Sequence, residues 1–94
     1  MTMTSRTVVY AAIDSEREYQ DAKWKRPESP ENAAGHNPHT ITEWLSYMQY
    51  YVNEGLRVQT LSHAEGAGID FLRKVAALGV AGMEQHGAPI REGY

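Results

Sequence analysis

Two clusters of basic and aromatic side chains give this sequence its clearest potential for chemistry. In the first cluster, Lys23, Lys25 and Arg26 surround Trp24. A cation beside a flat indole ring can bind a phosphate while the ring stacks against a base. The cluster therefore predicts a binding site for a nucleotide rather than a catalytic centre.

The second cluster is the basic pair Arg73 and Lys74. The pair lies in the middle of an apolar helical pattern, where one or both side chains are expected to border the core face. Cations in such a position commonly extend to solvent or pair with a carboxylate such as Asp70 or Glu54. Phosphate binding and structural ion pairing therefore both stay open for this pair.

Metal-dependent and nucleophilic catalysis find less support in the sequence. His36 and His39 lie close together, with His63 and His86 elsewhere, but no cysteine and no nearby third ligand completes a zinc site. No serine follows the strand-turn-helix pattern of an activated nucleophile, and the glycines match no phosphate-binding loop. We therefore expect no catalytic residue, no metal and no cofactor.

The first helix is predicted over about residues 5–23, and the Trp24 cluster follows its end. Apolar residues recur in this segment at helical spacing, namely Val8, Val9, Ala12, Ile13 and Tyr19. The pattern stops over residues 25–39, where helix-breaking residues recur, namely Pro27, Pro30, Gly35 and Pro38. A polar loop of this length is expected to be either a lid over a site or a disordered connection.

A second helix is predicted over about residues 41–58. The segment Thr40-Ile41-Thr42-Glu43 fits a capping box, in which the Thr40 hydroxyl and the Glu43 carboxylate each accept a backbone amide at the start of the helix. The expected core stripe is Ile41, Leu45, Met48, Val52 and Leu56, with Trp44, Tyr47 and Tyr51 along one flank.

A third helix is predicted over about residues 63–86, because Ser62-His63-Ala64-Glu65 fits a second capping box. Its expected core face is Ile69, Leu72, Ala76, Val80 and Met83. Small residues in the second half should let a neighbouring helix approach closely, namely Ala76, Ala77, Gly79, Ala81 and Gly82. The three helices predict an all-α fold, a small antiparallel three-helix bundle forming one domain over residues 1–94.

Composition narrows the classes of partner. A chain of 94 residues has a thin core, and its six Tyr, two Trp and one Phe exceed what such a core can bury, so we expect a homo-oligomer. The formal net charge of -3 argues against binding DNA through a uniformly basic surface. The chain has no cysteine, no apolar signal sequence and no membrane-spanning stretch, so a cytoplasmic location is expected.

Three segments of the sequence resemble the small phage and bacterial relatives of the MazG-like all-α nucleotide pyrophosphohydrolases. They are the run from Glu16 to Trp24, then His39 ahead of Glu43-Trp44-Leu45, and then Val75-Ala76-Ala77 leading to Glu84. The resemblance covers about residues 10–87. In that family, a Glu-Glu-x-x-Glu motif on the second helix and a Glu-x-x-Asp motif on the next helix hold magnesium, which bridges the substrate phosphates.

This resemblance implies a lost magnesium site. Alignment on Trp44-Leu45 puts Tyr50, Tyr51 and Glu54 at the positions of the three glutamates. The second motif falls near Asp70, Arg73 and Lys74, so bases stand at or beside the position of acids. Magnesium requires hard oxygen ligands in octahedral geometry, which this set would not supply. The cations could still contact a phosphate, and the tyrosines could stack on a base.

The leading hypothesis is a phage-encoded, non-catalytic sponge that sequesters a nucleotide immune signal, similar in type to the anti-CBASS and anti-Thoeris sponges. The expected ligand is a cyclic dinucleotide or trinucleotide or a cyclic ADP-ribose isomer. The predicted ligand-binding residues form two pockets, with Tyr10, Trp24, Lys25 and Arg26 around one and Tyr51, Arg73 and Lys74 around the other. Tyr10 is expected to reach the first pocket either from one helical surface away in the same chain or from a neighbouring protomer.

Two alternatives stay open. One is a weak magnesium-dependent pyrophosphohydrolase that uses Glu54, Asp70 and either Glu16 or Glu84. The other is a protein-interaction module whose aromatic second helix packs on a host or phage protein.

Overall fold

A computed structural model of the chain consists of three α-helices, α1 (Arg6–Trp24), α2 (Ile41–Leu61) and α3 (Ile69–His86). The structure describes residues 3–24, 38–62 and 65–93, and no strand occurs in these ranges. The predicted all-α fold is therefore confirmed. Most of the predicted polar loop, residues 25–37, lies outside the described residues. No helix in the described ranges is long and apolar enough to cross a membrane.

Helix α2 begins at the predicted capping box. The Thr40 hydroxyl accepts a hydrogen bond from the Glu43 backbone amide at 3.0 Å, and the Glu43 carboxylate accepts one from the Thr40 backbone amide at 2.8 Å. This bond from the Thr40 amide is the largest cause that lowers the pKa of the Glu43 carboxyl. The helix runs to Leu61, three residues past its predicted end, and the Ser62 amide closes the last turn on the Val58 carbonyl.

Helix α3 begins at Ile69, six residues later than the second capping box predicts. Ser62 instead ends α2, and residues 65–68 form turns. Gly66 has a φ of +82°, a left-handed conformation that interrupts a helix and that glycine adopts without steric cost. Gly68 takes the cap position without a side-chain hydrogen bond. The second capping box therefore predicted the wrong start for α3, because Gly66 and Gly68 interrupt the helix before Ile69.

The helices α2 and α3 form an antiparallel pair. A Cβ atom on Gly55, late in α2, would lie 2.8 Å from Phe71, near the start of α3. At the other end of the pair, a Cβ atom on Gly82 would lie 3.2 Å from the Cγ atom of Trp44. The predicted close approach at small residues of α3 is therefore present in the chain itself.

Helix α3 is the central helix, since it packs against both α2 and α1. Four hydrophobic side chains are buried among the described residues, namely Trp44, Ala77, Leu78 and Ala81. Trp24, Met48 and Tyr51 pack against this core while partly exposed. The core is thin, as the length of the chain predicts.

The predicted core stripes are largely exposed, and this corrects the sequence-based assignment. On α2, the exposed members are Ile41, Leu45, Val52 and Leu56, and on α3 they are Ile69, Leu72 and Met83. On α1, Val8, Val9 and Tyr19 are exposed, whereas Arg17 and Gln20 are buried. The reason is that the small residues of α3 and the Trp44–Leu78 contact decide which faces meet inside the chain, so the most apolar stripes point outward.

Candidate functional site

A cleft between α1 and α3 brings together charged and aromatic side chains. Its volume is about 430 Å³, and it is lined by Glu16, Tyr19, Asp70, Phe71, Arg73 and Lys74. Helix α1 supplies the first two residues, one turn apart, and the first half of α3 supplies the others. Arg73 and Lys74 of the second predicted pocket therefore line this cleft, whereas Tyr51 is not among its lining residues.

Arg73 is engaged in ion pairs within the cleft. Its Nε atom donates to the Glu16 carboxylate at 2.8 Å, and its Nη1 atom donates to Asp70 at 2.8 Å. The bond to Glu16 is the largest cause that raises the pKa of Arg73, followed by the bond to Asp70. Two carboxylates thus offset the charge of Arg73, and the residue connects α1 to α3. Its predicted contact with a ligand stays a prediction.

Lys74 differs from its neighbour Arg73. Its Nζ atom lies 4.2 Å from the centroid of the Tyr51 ring, a cation–π contact. Among residues 3–24, 38–62 and 65–93, no carboxylate is within ion-pair distance of Lys74. Tyr51 also contacts the ring of Tyr50 edge-on at 5.0 Å and packs against the core. The structure therefore brings the predicted residues Tyr51 and Lys74 together, with a cation that the described carboxylates leave uncompensated.

Trp24, the centre of the first predicted pocket, packs inward. Its ring centroid lies 6.2 Å from that of Trp44, and the cation beside it is Arg17, whose Cζ atom lies 5.9 Å from the ring. Lys25 and Arg26 lie outside the described residues. The Trp24 ring therefore already has an intramolecular cation and an aromatic neighbour.

Arg17 is the centre of a buried polar cluster at this end of α1. Its guanidinium donates to Glu84 at 2.9 Å, to Asp21 at 2.8 Å and to Gln20 at 3.3 Å. Burial opposes its charge, but the hydrogen bonds to Glu84 and Asp21 outweigh that effect and raise the pKa of Arg17. The cluster joins α1 to the end of α3 through the Arg17–Glu84 ion pair, and the Arg17 charge is already paired with carboxylates of the chain.

Tyr10 lies far from Trp24 along the same helix. It is 63% exposed and precedes Trp24 by fourteen residues of α1. At 1.5 Å per residue, these positions are about 21 Å apart along the helix axis. One chain cannot place both rings around the same small nucleotide, so a first pocket that contains Tyr10 and Trp24 would need two copies.

The carboxylates required by the enzyme alternative are each paired with an arginine. Glu16 and Asp70 bond to Arg73 as described above, Glu54 bonds to Arg57 at 3.3 Å, and Glu84 bonds to Arg17. Within the part of the chain that the structure describes, no group of three His, Asp or Glu side chains is placed to hold a metal ion. These acids act as ion-pair partners in the fold.

His39 and His86 join the start of α2 to the end of α3. The His39 ring contacts Trp44 and Tyr47 edge-on at 5.1 and 5.2 Å, and the His86 Nε2 atom lies 2.6 Å from the His39 carbonyl oxygen. The Gln85 side chain accepts both the His39 amide and the Trp44 indole N–H. These described histidines therefore have structural contacts, while His36 and His63 lie outside the described residues.

Sequence reasoning missed two aromatic residues of the cleft, Tyr19 and Phe71. Tyr19 was assigned to the core stripe of the first helix, but its position three residues after Glu16 places both on one face. Phe71 likewise precedes Lys74 by three residues. The helical spacing from each charged residue was the signal that could have identified them.

Comparisons of the chain with protein-family models, with curated proteins and with solved structures find no match.

Proposed function

We propose that this chain is a non-catalytic binding protein that sequesters a small nucleotide in the cleft between α1 and α3. The observation that carries the proposal is Lys74, a partly buried cation that lines the cleft and has no carboxylate partner among the described residues. A phosphate oxygen would complete a charge-assisted hydrogen bond with its ammonium group. Such a bond is stronger in a partly desolvated cleft than on an open surface.

The rings around Lys74 fit the rest of a nucleotide. Tyr19 and Phe71 line the same cleft, and Tyr51 lies under the Lys74 ammonium. Aromatic side chains stack on bases of any sequence, with about 1–3 kcal/mol for each stacked base. The cleft volume of about 430 Å³ also lies within the roughly 300–1,000 Å³ common for small-molecule sites.

The charge of the cleft favours a cyclic nucleotide over a linear triphosphate. Glu16 and Asp70 outweigh Arg73 by one negative charge, and Lys74 brings the formal charge of these four side chains to zero, so the cleft suits a ligand of low charge. Each phosphate of a cyclic dinucleotide, a cyclic trinucleotide or a cyclic ADP-ribose isomer carries one negative charge, whereas a triphosphate chain also carries the charge of its terminal phosphate. A triphosphate would be repelled by the two carboxylates unless a metal ion accompanied it.

Binding without hydrolysis is favoured by the pairing of the carboxylates. Magnesium would have to displace Arg73 from Glu16 and Asp70, and Arg57 from Glu54, before these acids could coordinate it. A protein that binds a nucleotide without hydrolysing it would act like the anti-defence sponges to which the sequence is similar in type.

We place the protein in the cytoplasm of a phage-infected cell and propose that it is a homo-oligomer. In this oligomer, Tyr10 of one copy would complete the pocket around Trp24, Lys25 and Arg26 of another copy.

A thermal-shift panel tests the proposal with cyclic dinucleotides, cyclic trinucleotides, cyclic ADP-ribose isomers and ATP, each with and without magnesium. At a hundred times its dissociation constant, a bound ligand adds about 2.7 kcal/mol of stability. We expect at least one cyclic nucleotide to raise the melting temperature without magnesium. The proposal fails if no nucleotide changes it.

The variant Lys74→Gln then tests the site. Because it removes a charge-assisted hydrogen bond to phosphate, we expect about a tenfold to hundredfold loss of affinity by calorimetry. The matched control is Arg91→Gln, which removes the same charge at an exposed position after α3. Equal loss of affinity in the two variants would indicate a general charge effect and would remove Lys74 from the site.

A further inference from the structure

The antiparallel α2–α3 pair has an apolar groove on a side that α1 does not occupy. We call it the open groove and define it by Val52, Leu56, Ile69, Leu72 and Ala76. Its volume is about 650 Å³. Ile41 and Leu45 extend the α2 stripe at helical spacing, and Met83 extends the α3 stripe. By this spacing, the added side chains share one face of each helix with the groove residues.

The charged groups of the described residues lie mostly elsewhere. The ion pairs of Arg17 and Arg73 join α1 to α3, whereas Glu65 is the one charged residue among the described residues that line the open groove. Gln59 and Glu65 border the groove at one end. An apolar patch with a polar rim is typical of a protein interface.

The apolar surface of the pair consists of large side chains that are well exposed. Seven of them are each between 44% and 72% exposed, namely Ile41, Leu45, Val52, Leu56, Ile69, Leu72 and Met83. Together they provide apolar area on the order of the roughly 800 Å² that each partner buries in an interface of standard size.

A second copy is the occupant that these properties fit. The groove has an apolar stripe on each of two antiparallel helices, so a two-fold axis can lay one pair on the other as a four-helix arrangement. Ala76 lines the groove and is small, which allows a facing helix to approach α3 closely there. The net charge of -3 repels two copies at most surfaces and least at this uncharged one.

We propose that the open groove is the self-association surface of this protein, and that two copies pack through it with their α2–α3 pairs face to face. This contact is separate from the one that would bring Tyr10 of another copy to Trp24, because the open groove lies on a side of the α2–α3 pair that α1 does not occupy. It does not depend on the ligand of the α1–α3 cleft.

Sedimentation velocity on the full chain over the micromolar range tests the inference with three matched variants. Leu72→Lys and Leu56→Lys place a charge in the open groove, at side chains that are 72% and 60% exposed in one chain. Leu61→Lys is the control, since Leu61 is 67% exposed on α2 and does not line the groove. We expect the groove variants to weaken association by about tenfold or more, because a buried unpaired charge is costly, and the control to associate like the original chain.

Circular dichroism of each variant separates dissociation from unfolding, since all three positions are exposed and should keep their helices. If the unsubstituted chain sediments as a monomer, both the inference and the proposed homo-oligomer are wrong. This holds also if the groove of that monomer binds an apolar small molecule or another protein. If the unsubstituted chain associates but Leu61→Lys weakens association as strongly as Leu72→Lys does, the open groove is not the association surface. Nucleotide binding is measured separately in the thermal-shift panel, so its failure is distinguishable from either result.

Discussion

The two sides of helix α3 differ in the interactions that their side chains make. The side toward α1 is polar and paired, with Arg17 and Arg73 bonded to carboxylates across the two helices. The open groove on the other side is apolar and exposed, although its residues form the most regular hydrophobic stripes in the sequence. The contrast teaches that a hydrophobic stripe identifies a surface that must be buried, but not whether the same chain buries it.

The contrast also separates two kinds of function. The paired side contains the cleft with Lys74, where a small anion can be recognised by charge and by rings. The open groove offers area without charge, which suits a protein partner rather than a nucleotide. Ligand binding and self-association are therefore assigned to different surfaces of the same central helix.

The largest expected difference is between a leucine of the core and a leucine of the open groove. Leu78 is 4% exposed within the core, so Leu78→Ala should lower the free energy of unfolding by about 2–5 kcal/mol. Leu72 is 72% exposed, so Leu72→Ala should cost less than about 1 kcal/mol in dilute solution, where the chain is dissociated. Urea unfolding at low protein concentration measures both.

Equal costs for the two leucine variants in dilute solution would mean that Leu72 is buried within one chain. At high protein concentration, the cost of Leu72→Ala should increase because association then contributes to stability. A cost that is independent of concentration would contradict the assignment of the open groove to a second copy.

A smaller effect is expected from removing the ion pairs of the polar side. Arg17→Met should lower the free energy of unfolding by about 1–3 kcal/mol, since its guanidinium bonds to Glu84 and Asp21 are lost. The cost is smaller than for a fully buried pair, because Glu84 and Asp21 are partly exposed and can be solvated again. Urea unfolding of Glu84→Gln, which leaves the bond from Arg17 to Asp21, should show a smaller loss. A stabilised Arg17→Met chain would show that packing, and not ion pairing, holds α1.

Local signals in the sequence predicted part of this fold. The capping box at Thr40 and Glu43 gave the start of α2, because both hydrogen bonds form within one turn. The same motif at Ser62 and Glu65 failed, because the end of α2 and the left-handed Gly66 compete with it. Local patterns are reliable only where no neighbouring element uses the same residues.

The site was predictable only in outline. Lys74 and Tyr51, which are predicted from the sequence to share one pocket, lie close together because α2 and α3 are antiparallel neighbours, and their binding of a ligand stays a prediction. The pairing of Arg73 with Glu16 was not predictable, since it depends on how α1 lies on α3 and these residues are 57 positions apart. Which carboxylate a surface cation pairs with depends on such long-range packing, and helical periodicity carries no information about it.

The most direct test of binding without turnover is the recovery of bound nucleotide. The purified chain is incubated with magnesium and the cyclic nucleotide that gives the largest thermal shift, the free ligand is removed, and the protein is denatured. Chromatography with mass spectrometry then identifies what is released. We predict that the retained nucleotide is recovered intact and in a fixed ratio to the protein, whereas hydrolysis products or the absence of retained nucleotide would contradict the account.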